Sequence, residues 1–253
     1  MNAASAPVLR ARGLEKRFGG VHAVRAVDLD VDAAERRAIL GPNGAGKTTL
    51  FSLIAGSEFP TAGTVELFGA DVTDMPASLR TRLGLARTFQ TSRIFGGLTV
   101  EQNLYLAAVG VDGGRLRPVR TQRDRELRAL AERAAERVGL AGRLRASAAG
   151  LSHGERRQLE IGLALVSEPY LLLLDEPAAG LSRTERQLLT ELLLSLPRSV
   201  TLILIEHDMD VALAVAERVT MMHGGRIMLE GTPAEIRAST VVHEIYLGSA
   251  YAA

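Results

Sequence analysis

Gly41-Pro42-Asn43-Gly44-Ala45-Gly46-Lys47-Thr48 follows the pattern Gly-x-x-x-x-Gly-Lys-Thr, and the run before it, Arg37-Ala-Ile-Leu40, reads as a short buried strand. That placement identifies a phosphate loop, because the motif works only between a strand and the start of a helix. Glycines let the backbone turn tightly enough for successive N–H groups to point at phosphate oxygens, and a helix beginning near Lys47 adds the positive end of its dipole. Lys47 would reach the β- and γ-phosphates of a nucleotide, and the Thr48 hydroxyl a Mg²⁺ ion. The chain has two lysines, Lys16 and Lys47, among 30 basic residues, so a lysine at this position does not follow from composition. A glycine-rich turn capping a helix is the plainer alternative; the flanking strand and helix argue against it.

At 253 residues the chain can hold one large α/β domain, or a domain carrying a subdomain, without room for a second full nucleotide-binding unit. Its formal net charge is +1 with acids and bases intermixed, which gives no case for nucleic-acid binding. The absence of cysteine excludes disulfides, thiolate metal sites and a cysteine nucleophile, and is compatible with the cytosol. The longest apolar runs, such as Leu171 to Leu174 and Val200 to Ile205, fall far short of the roughly 20 residues of a membrane helix. Met1 to Pro7 lacks the basic start and apolar core of a secretion signal and reads as a loose lead-in.

Outward from the loop, Val8 to about Val31 alternates in short pieces with turn signals at Gly13 and Gly19-Gly20, which predicts strands and a hairpin. Thr49 to Ala55 continues the helix until Gly56, and Thr64 to Phe68 predicts a strand ended by Gly69. From about Val100 to Leu165 the chain is rich in Ala, Leu and Arg, with Leu127, Leu130, Ala134 and Val138 at helical spacing, so a helical insert is expected. Within it, Asp112-Gly113-Gly114 reads as a loop. Arg115, Arg117, Arg120, Arg123, Arg125 and Arg128 form a basic run, read as a solvated face with Glu126, Glu132 and Glu136 as ion partners in preference to a surface for a partner or anionic lipid. Strand patterns return at Tyr170 to Leu174 and Val200 to Ile205, each followed by helical sequence, which implies parallel βαβ crossovers. A short strand at Arg226 to Glu230 and a helix from about Pro233 close the pattern.

Leu171-Leu-Leu-Leu-Asp175-Glu176-Pro177 is an apolar strand ending in two adjacent acids. In phosphate-loop ATPases the first carboxylate helps to hold Mg²⁺; the second, Glu176, would sit at the strand's C-terminal edge, where a water could be oriented against the γ-phosphate. Alone, Asp-Glu-Pro is equally a charged turn; paired with the phosphate loop it becomes part of a site. Leu151-Ser152-His153-Gly154-Glu155 precedes a helix from Arg156 to Val166 and offers a hydroxyl and bare N–H groups, a second phosphate-binding nest. By itself Ser152 would be an ordinary N-cap. Placed about twenty residues ahead of the Asp-Glu strand, the stretch closely resembles the signature motif of the ATP-binding cassette (ABC) ATPases, and the order of landmarks fits that family from Phe18 to about Gly231.

The resemblance implies an α/β fold: a RecA-like phosphate-loop ATPase core with a mainly parallel sheet, an N-terminal antiparallel β subdomain and an inserted α-helical subdomain. One domain over 7–253 is expected, with 7–90 and 166–240 forming the ATP-binding core and β subdomain, 91–165 the helical signature subdomain and 241–253 a tail. It also implies ATP and Mg²⁺ as ligands. Phe18 would stack on adenine, a contact worth about 1 kcal/mol. The loop Gly41, Pro42, Asn43, Gly44, Ala45, Gly46, Lys47, Thr48 and Thr49 would hold the phosphates. Gln90, in Arg87-Thr-Phe-Gln90, would meet Mg²⁺ or the attacking water, and with Thr48 and Asp175 would make up the metal's surroundings. Glu176 would act on the water, and His207, in Ile205-Glu-His207-Asp-Met209, would contact the γ-phosphate. His22, His153, His223 and His243 show no mutual metal-ligand pattern and are taken as structural or surface residues.

In the family two subunits pack head to tail, so Ser152, His153, Gly154 and Glu155 would cover ATP held by a second ATP-binding subunit, whether a copy or a relative. Permease subunits, and indirectly a substrate-binding protein, are implied as partners, and the cytoplasmic face of the inner or plasma membrane as the location. Two departures stand out: His153 occupies a position commonly glycine, and Ser182, in Ala179-Gly-Leu-Ser182, one commonly an acid or amide. Arg87-Thr-Phe-Gln90, Leu98-Thr-Val-Glu-Gln-Asn-Leu104, Ile205-Glu-His-Asp-Met209, Gly231-Thr-Pro-Ala-Glu-Ile236 and Tyr246-Leu-Gly248 are similar to the ATPase subunits of branched-chain amino-acid importers. Relatives of this group serve amides, urea, aromatic acids or lipopolysaccharide export, so the ATPase wording constrains cargo less than subgroup. A soluble ABC-type ATPase acting on DNA or ribosomes usually carries long coiled-coil inserts or two cassettes, and a GTPase an Asn-Lys-x-Asp motif; the chain has none of these. A phosphate-loop kinase would need an acceptor site, and leaves the signature stretch without a role.

Overall fold

The computed structural model describes residues 7–88, 94–112 and 122–242. Two sheets carry the architecture. Strands β1 (Leu9–Phe18), β2 (Val21–Val31), β4 (Ala62–Leu67) and β5 (Ala70–Asp71) form an antiparallel sheet in the order β2-β1-β4-β5. The second sheet holds β3 (Arg36–Leu40), β6 (Leu85–Arg87), β7 (Leu171–Asp175), β8 (Thr201–Ile205), β9 (Arg218–His223) and β10 (Arg226–Gly231) in the order β10-β9-β3-β8-β7-β6. All its pairings are parallel except the β9–β10 hairpin. The expected α/β class, with one antiparallel and one mainly parallel sheet, is what the chain forms.

The unbroken apolar runs are explained by burial on both faces of the second sheet. Ala38, Leu40, Leu172, Leu174, Leu202 and Leu204 face one core cluster, while Ile39, Leu171, Leu173, Ile203 and Ile205 face another. The first cluster is roofed by α3 (Val100–Val111), α4 (Gln122–Arg137), α5 (His153–Leu165), α6 (Arg183–Ser195) and α7 (Met209–Val215), and closed by α8 (Pro233–Ala238). The second packs α1 (Lys47–Ala55) between the two sheets, burying Leu50, Phe51, Leu53 and Ile54. Each such side chain contributes about 1.5–3 kcal/mol of burial free energy. Short α2 (Ala77–Arg82) supplies Arg80, whose fully buried guanidinium donates to the carbonyls of Leu53 and Ile54 at the end of α1 and to those of Thr73 and Met75.

Several expectations are corrected. Gly13 is a bulge inside β1: its φ is 53°, the register with β2 and β4 slips there, and its N–H donates to Asp28 at 2.6 Å. The strand expected at Thr64–Phe68 begins at Ala62 and stops at Leu67, because Phe68 enters the left-handed turn to Gly69. Strands β5, β6 and β9 and helix α2 add to the elements that the sequence pattern predicts. In the insert, Leu127, Ala134 and Val138 are buried as the helical spacing predicts, and Leu130 is partly buried against the same core. Of the basic run, Arg123 pairs with Asp112 and the expected Glu126, whereas Arg128 pairs with Asp124 and Glu101 and covers the Tyr105 ring. Arg115, Arg117 and Arg120 lie outside the described residues. Among the described residues no helix is long and apolar enough to cross a membrane.

Candidate active site

The turn from β3 into α1 makes the floor of a cleft of about 580 Å³, lined by Asn43 to Thr49, by Val21 to Ala23 and Arg25, by Gly224-Gly225 and by Glu176. Its glycines have separate reasons. At Gly41, φ is 151° and an added Cβ would lie 2.1 Å from the Met222 carbonyl oxygen; at Gly46, φ is 97° and the Ala23 carbonyl oxygen would be 2.3 Å away. Gly44, at φ 78°, has open space where its side chain would be. The loop is therefore pressed against β2 and β9 behind and bare in front. Lys47 Nζ donates to the carbonyls of Gly41 at 2.7 Å and Pro42 at 3.0 Å, spanning the loop it closes. Burial lowers the Lys47 pKa, an effect partly opposed by the charges of Glu176 and Asp175.

Both acids stand at the C-terminal end of β7, beside α1. The Asp175 side chain is 1% exposed; Oδ2 accepts from Arg87 Nη2 at 3.1 Å, and Oδ1 is buried with no hydrogen-bond partner among the described residues. A buried, unclaimed carboxylate oxygen on an acid that interacts with Lys47 is the hard donor that a Mg²⁺ ion takes, so the residues fit that ion. Glu176 departs from ordinary backbone geometry, with φ at 46°, a strained conformation for a side-chain-bearing residue. The turn is held by the Glu176 N–H donating to the Ile205 carbonyl, and the Glu176 carboxylate lies 3.8 Å from His207 Nδ1. Glu176, expected to act on the water, and His207, expected to contact the γ-phosphate, are thus brought together.

Ser152, His153, Gly154 and Glu155 do not line this cleft. Ser152 caps α5: its hydroxyl accepts from the Glu155 N–H at 3.2 Å, and Glu155 returns the bond to the Ser152 N–H at 2.9 Å. Arg143, and then this backbone bond, hold the Glu155 carboxyl below its usual range. The Gly154 N–H donates to Glu185 Oε1 at 2.9 Å, and His153 packs against Gly180, so the α5 start is fastened to the first turn of α6 and to the loop before it in its own chain. Ser182 caps α6 in a second capping box with Glu185. Phe18 ends β1 with 46% of its surface exposed and the Lys16 ammonium 4.9 Å from its ring centroid. Gln90, His243 and Tyr246-Leu-Gly248 fall outside the described residues. His22, taken as structural or surface, lines the cleft.

Three polar anchors escaped the sequence reading. Arg157 on α5 donates to the carbonyls of Glu176 at 2.6 Å and Pro177 at 2.7 Å. Glu206, fully buried, accepts from the Ala178 N–H at 2.7 Å; burial raises its pKa, partly opposed by that bond. Arg87 grips Asp175. Each partner is distant in sequence, and no local pattern marks it.

A family model described as ABC transporter matches residues 24–179. The high-affinity branched-chain amino acid transport ATP-binding protein LivG of Escherichia coli (strain K12) is 39% identical over 256 residues, covering 97% of this chain and all of that protein. BraF of Pseudomonas aeruginosa, with the same description, is 36% identical over 254 residues, again covering 97% of this chain and all of that protein. Among solved structures, the ADP conformation of MJ1267, an ATP-binding cassette of an ABC transporter, superposes with a TM-score of 0.86 at 27% identity, covering 96% of this chain and all of that one.

Proposed function

This chain belongs to the ABC transporter family, and on that premise we propose that it is the ATP-hydrolysing subunit of a membrane importer for branched-chain amino acids. The observation that carries the proposal is likeness along essentially the whole chain to LivG and BraF, whose names state that transport role. The cleft supports it chemically. Bare loop N–H groups, Lys47 and the dipole of α1 form an anion site suited to a triphosphate. Phe18 offers a part-exposed ring for adenine, beside the Lys16 ammonium. Thr48 and Asp175 would hold Mg²⁺, with Gln90 the further group that the family resemblance assigns to it, and the ion would neutralise phosphate charge. Glu176, set on the strained turn after β7, orients the attacking water, and His207 steadies the γ-phosphate side of the same region.

Because the start of α5 stands apart from the cleft, Ser152 and Gly154 act on nucleotide held by a second ATP-binding subunit, a copy or a relative. ATP then favours the closed pair over the open one, and hydrolysis removes that preference. The helical portion, residues 91–165, carries this surface. The chain sits at the cytoplasmic face of the membrane through permease subunits, which receive cargo from a substrate-binding protein. The test is uptake of labelled leucine, isoleucine and valine in cells deleted for this chain and for redundant systems. Rescue by the wild type and failure by Glu176→Gln is expected; normal uptake without the chain would overturn the cargo.

A further inference from the structure

Arg87, the last residue of β6, binds groups on two elements at once. One arm of its guanidinium donates to Asp175 Oδ2 at 3.1 Å; the other reaches the hydroxyls of Ser57 at 3.1 Å and Ser52 at 3.4 Å, at the far end of the phosphate-loop helix. The pair is sheltered, with side-chain exposures of 12% and 1%. The Thr88 hydroxyl also accepts from the Asp175 N–H at 3.3 Å, so neighbouring residues of β6's end fix both backbone and side chain of the acid.

We infer that Arg87 is a positioning residue for the Mg²⁺-dependent part of nucleotide binding: by fixing Oδ2 of Asp175 it keeps Oδ1 as the acceptor left for the cation, and by holding Ser52 and Ser57 it ties that acid to α1. The inference rests on the proposed ATP site and deepens it. Its sign is informative. By charge alone a guanidinium beside a cation site repels the cation, so deleting it would strengthen Mg²⁺ binding. By orientation, deleting it frees a buried carboxylate to turn and weakens Mg²⁺ binding, as the loss of partners of metal-ligating groups generally does, by about 10–100-fold. The planar fork serves both arms in one geometry, which a lysine cannot reproduce.

The experiment measures the affinity of the full chain for the non-hydrolysable analogue AMP-PNP by calorimetry, with Mg²⁺ and with EDTA, for wild type, Arg87→Ala and Arg87→Lys. Mn²⁺ binding to the nucleotide complex, followed by paramagnetic resonance, gives a second readout. Both variants should keep the EDTA affinity within about twofold and lose about tenfold or more of the gain that Mg²⁺ provides, with a matching loss of Mn²⁺ affinity. An unchanged or enlarged Mg²⁺ gain in either variant overturns the inference. So does full retention by Arg87→Lys, which would show that the planar fork is not required, and so does an equal loss in EDTA, which would make Arg87 a prop of the loop. Thermal unfolding accompanies each titration. If Arg87→Ala does not fold, Arg87→Lys decides, and failure of both to fold makes the residue structural and overturns the inference. A wild type that binds no AMP-PNP removes the nucleotide site itself; a wild type with normal Mg²⁺ gain and variants identical to it removes only the role of Arg87.

Discussion

Lys47 donates to two carbonyls of its own loop while burial lowers its pKa, so the free chain holds a cation at some cost in a place where a triphosphate would relieve it. Phosphate charges raise that pKa again on binding. Near and above the free-chain pKa of Lys47, binding therefore takes up a proton, so nucleotide affinity should be fully present below that pKa and fall as pH rises through it. Calorimetry across the alkaline range checks this; an affinity that climbs with pH would contradict it. Lys47→Ala should lose nucleotide binding beyond detection at millimolar concentrations, with the fold intact by circular dichroism. Unchanged affinity would remove the phosphate-loop assignment. At this scale the sequence was highly legible, because loop, acids and histidine are each written in contiguous residues. Arg87, Arg157 and Glu206 were not, because their partners are carbonyls and carboxylates brought near only by the sheet order.

Helix α1 has the phosphate site at one end and a buried arginine at the other. Gly56 ends it in a left-handed turn, a stop readable from sequence, but the last-turn carbonyls are claimed by Arg80, more than twenty residues on. Burial lowers the Arg80 pKa to about 10, with Asp71 opposing, so the side chain remains charged at neutral pH and complements the negative end of the helix. Arg80→Ala should cost about 3 kcal/mol of stability, since several buried carbonyls lose their donor at once. Denaturant unfolding measures it, and a change below about 0.5 kcal/mol, the usual range for surface substitutions, would contradict the capping role. The elements missed in sequence have plain causes. Strand β6 is three residues long, too short for a period to register, and β9 follows α7 with only Ala216 and Glu217 between them and no glycine or proline to mark the boundary. Gly13 misled because a bulge and a turn both call for a positive φ.

Over the whole molecule, the separation of Ser152 from the cleft means that half of the proposed chemistry needs a second chain. Ser152→Ala should cost about 1 kcal/mol as a lost N-cap. Ser152→Arg should leave nucleotide binding by the same chain intact while blocking hydrolysis in the facing subunit. Kinetics of a dimer mixed from this variant and wild type would locate the defect, and a loss confined to the chain carrying the substitution would contradict the head-to-tail arrangement. The most direct measurement is single-turnover hydrolysis of γ-labelled ATP by the chain purified with its permease and second ATP-binding subunit, wild type against Glu176→Gln, with ATP affinity determined in parallel. Retained affinity with hydrolysis reduced at least about 100-fold is expected for loss of the group that orients the attacking water. Hydrolysis by Glu176→Gln at the wild-type rate would contradict the assignment of the β7 acids and, with it, the mechanism proposed for this chain.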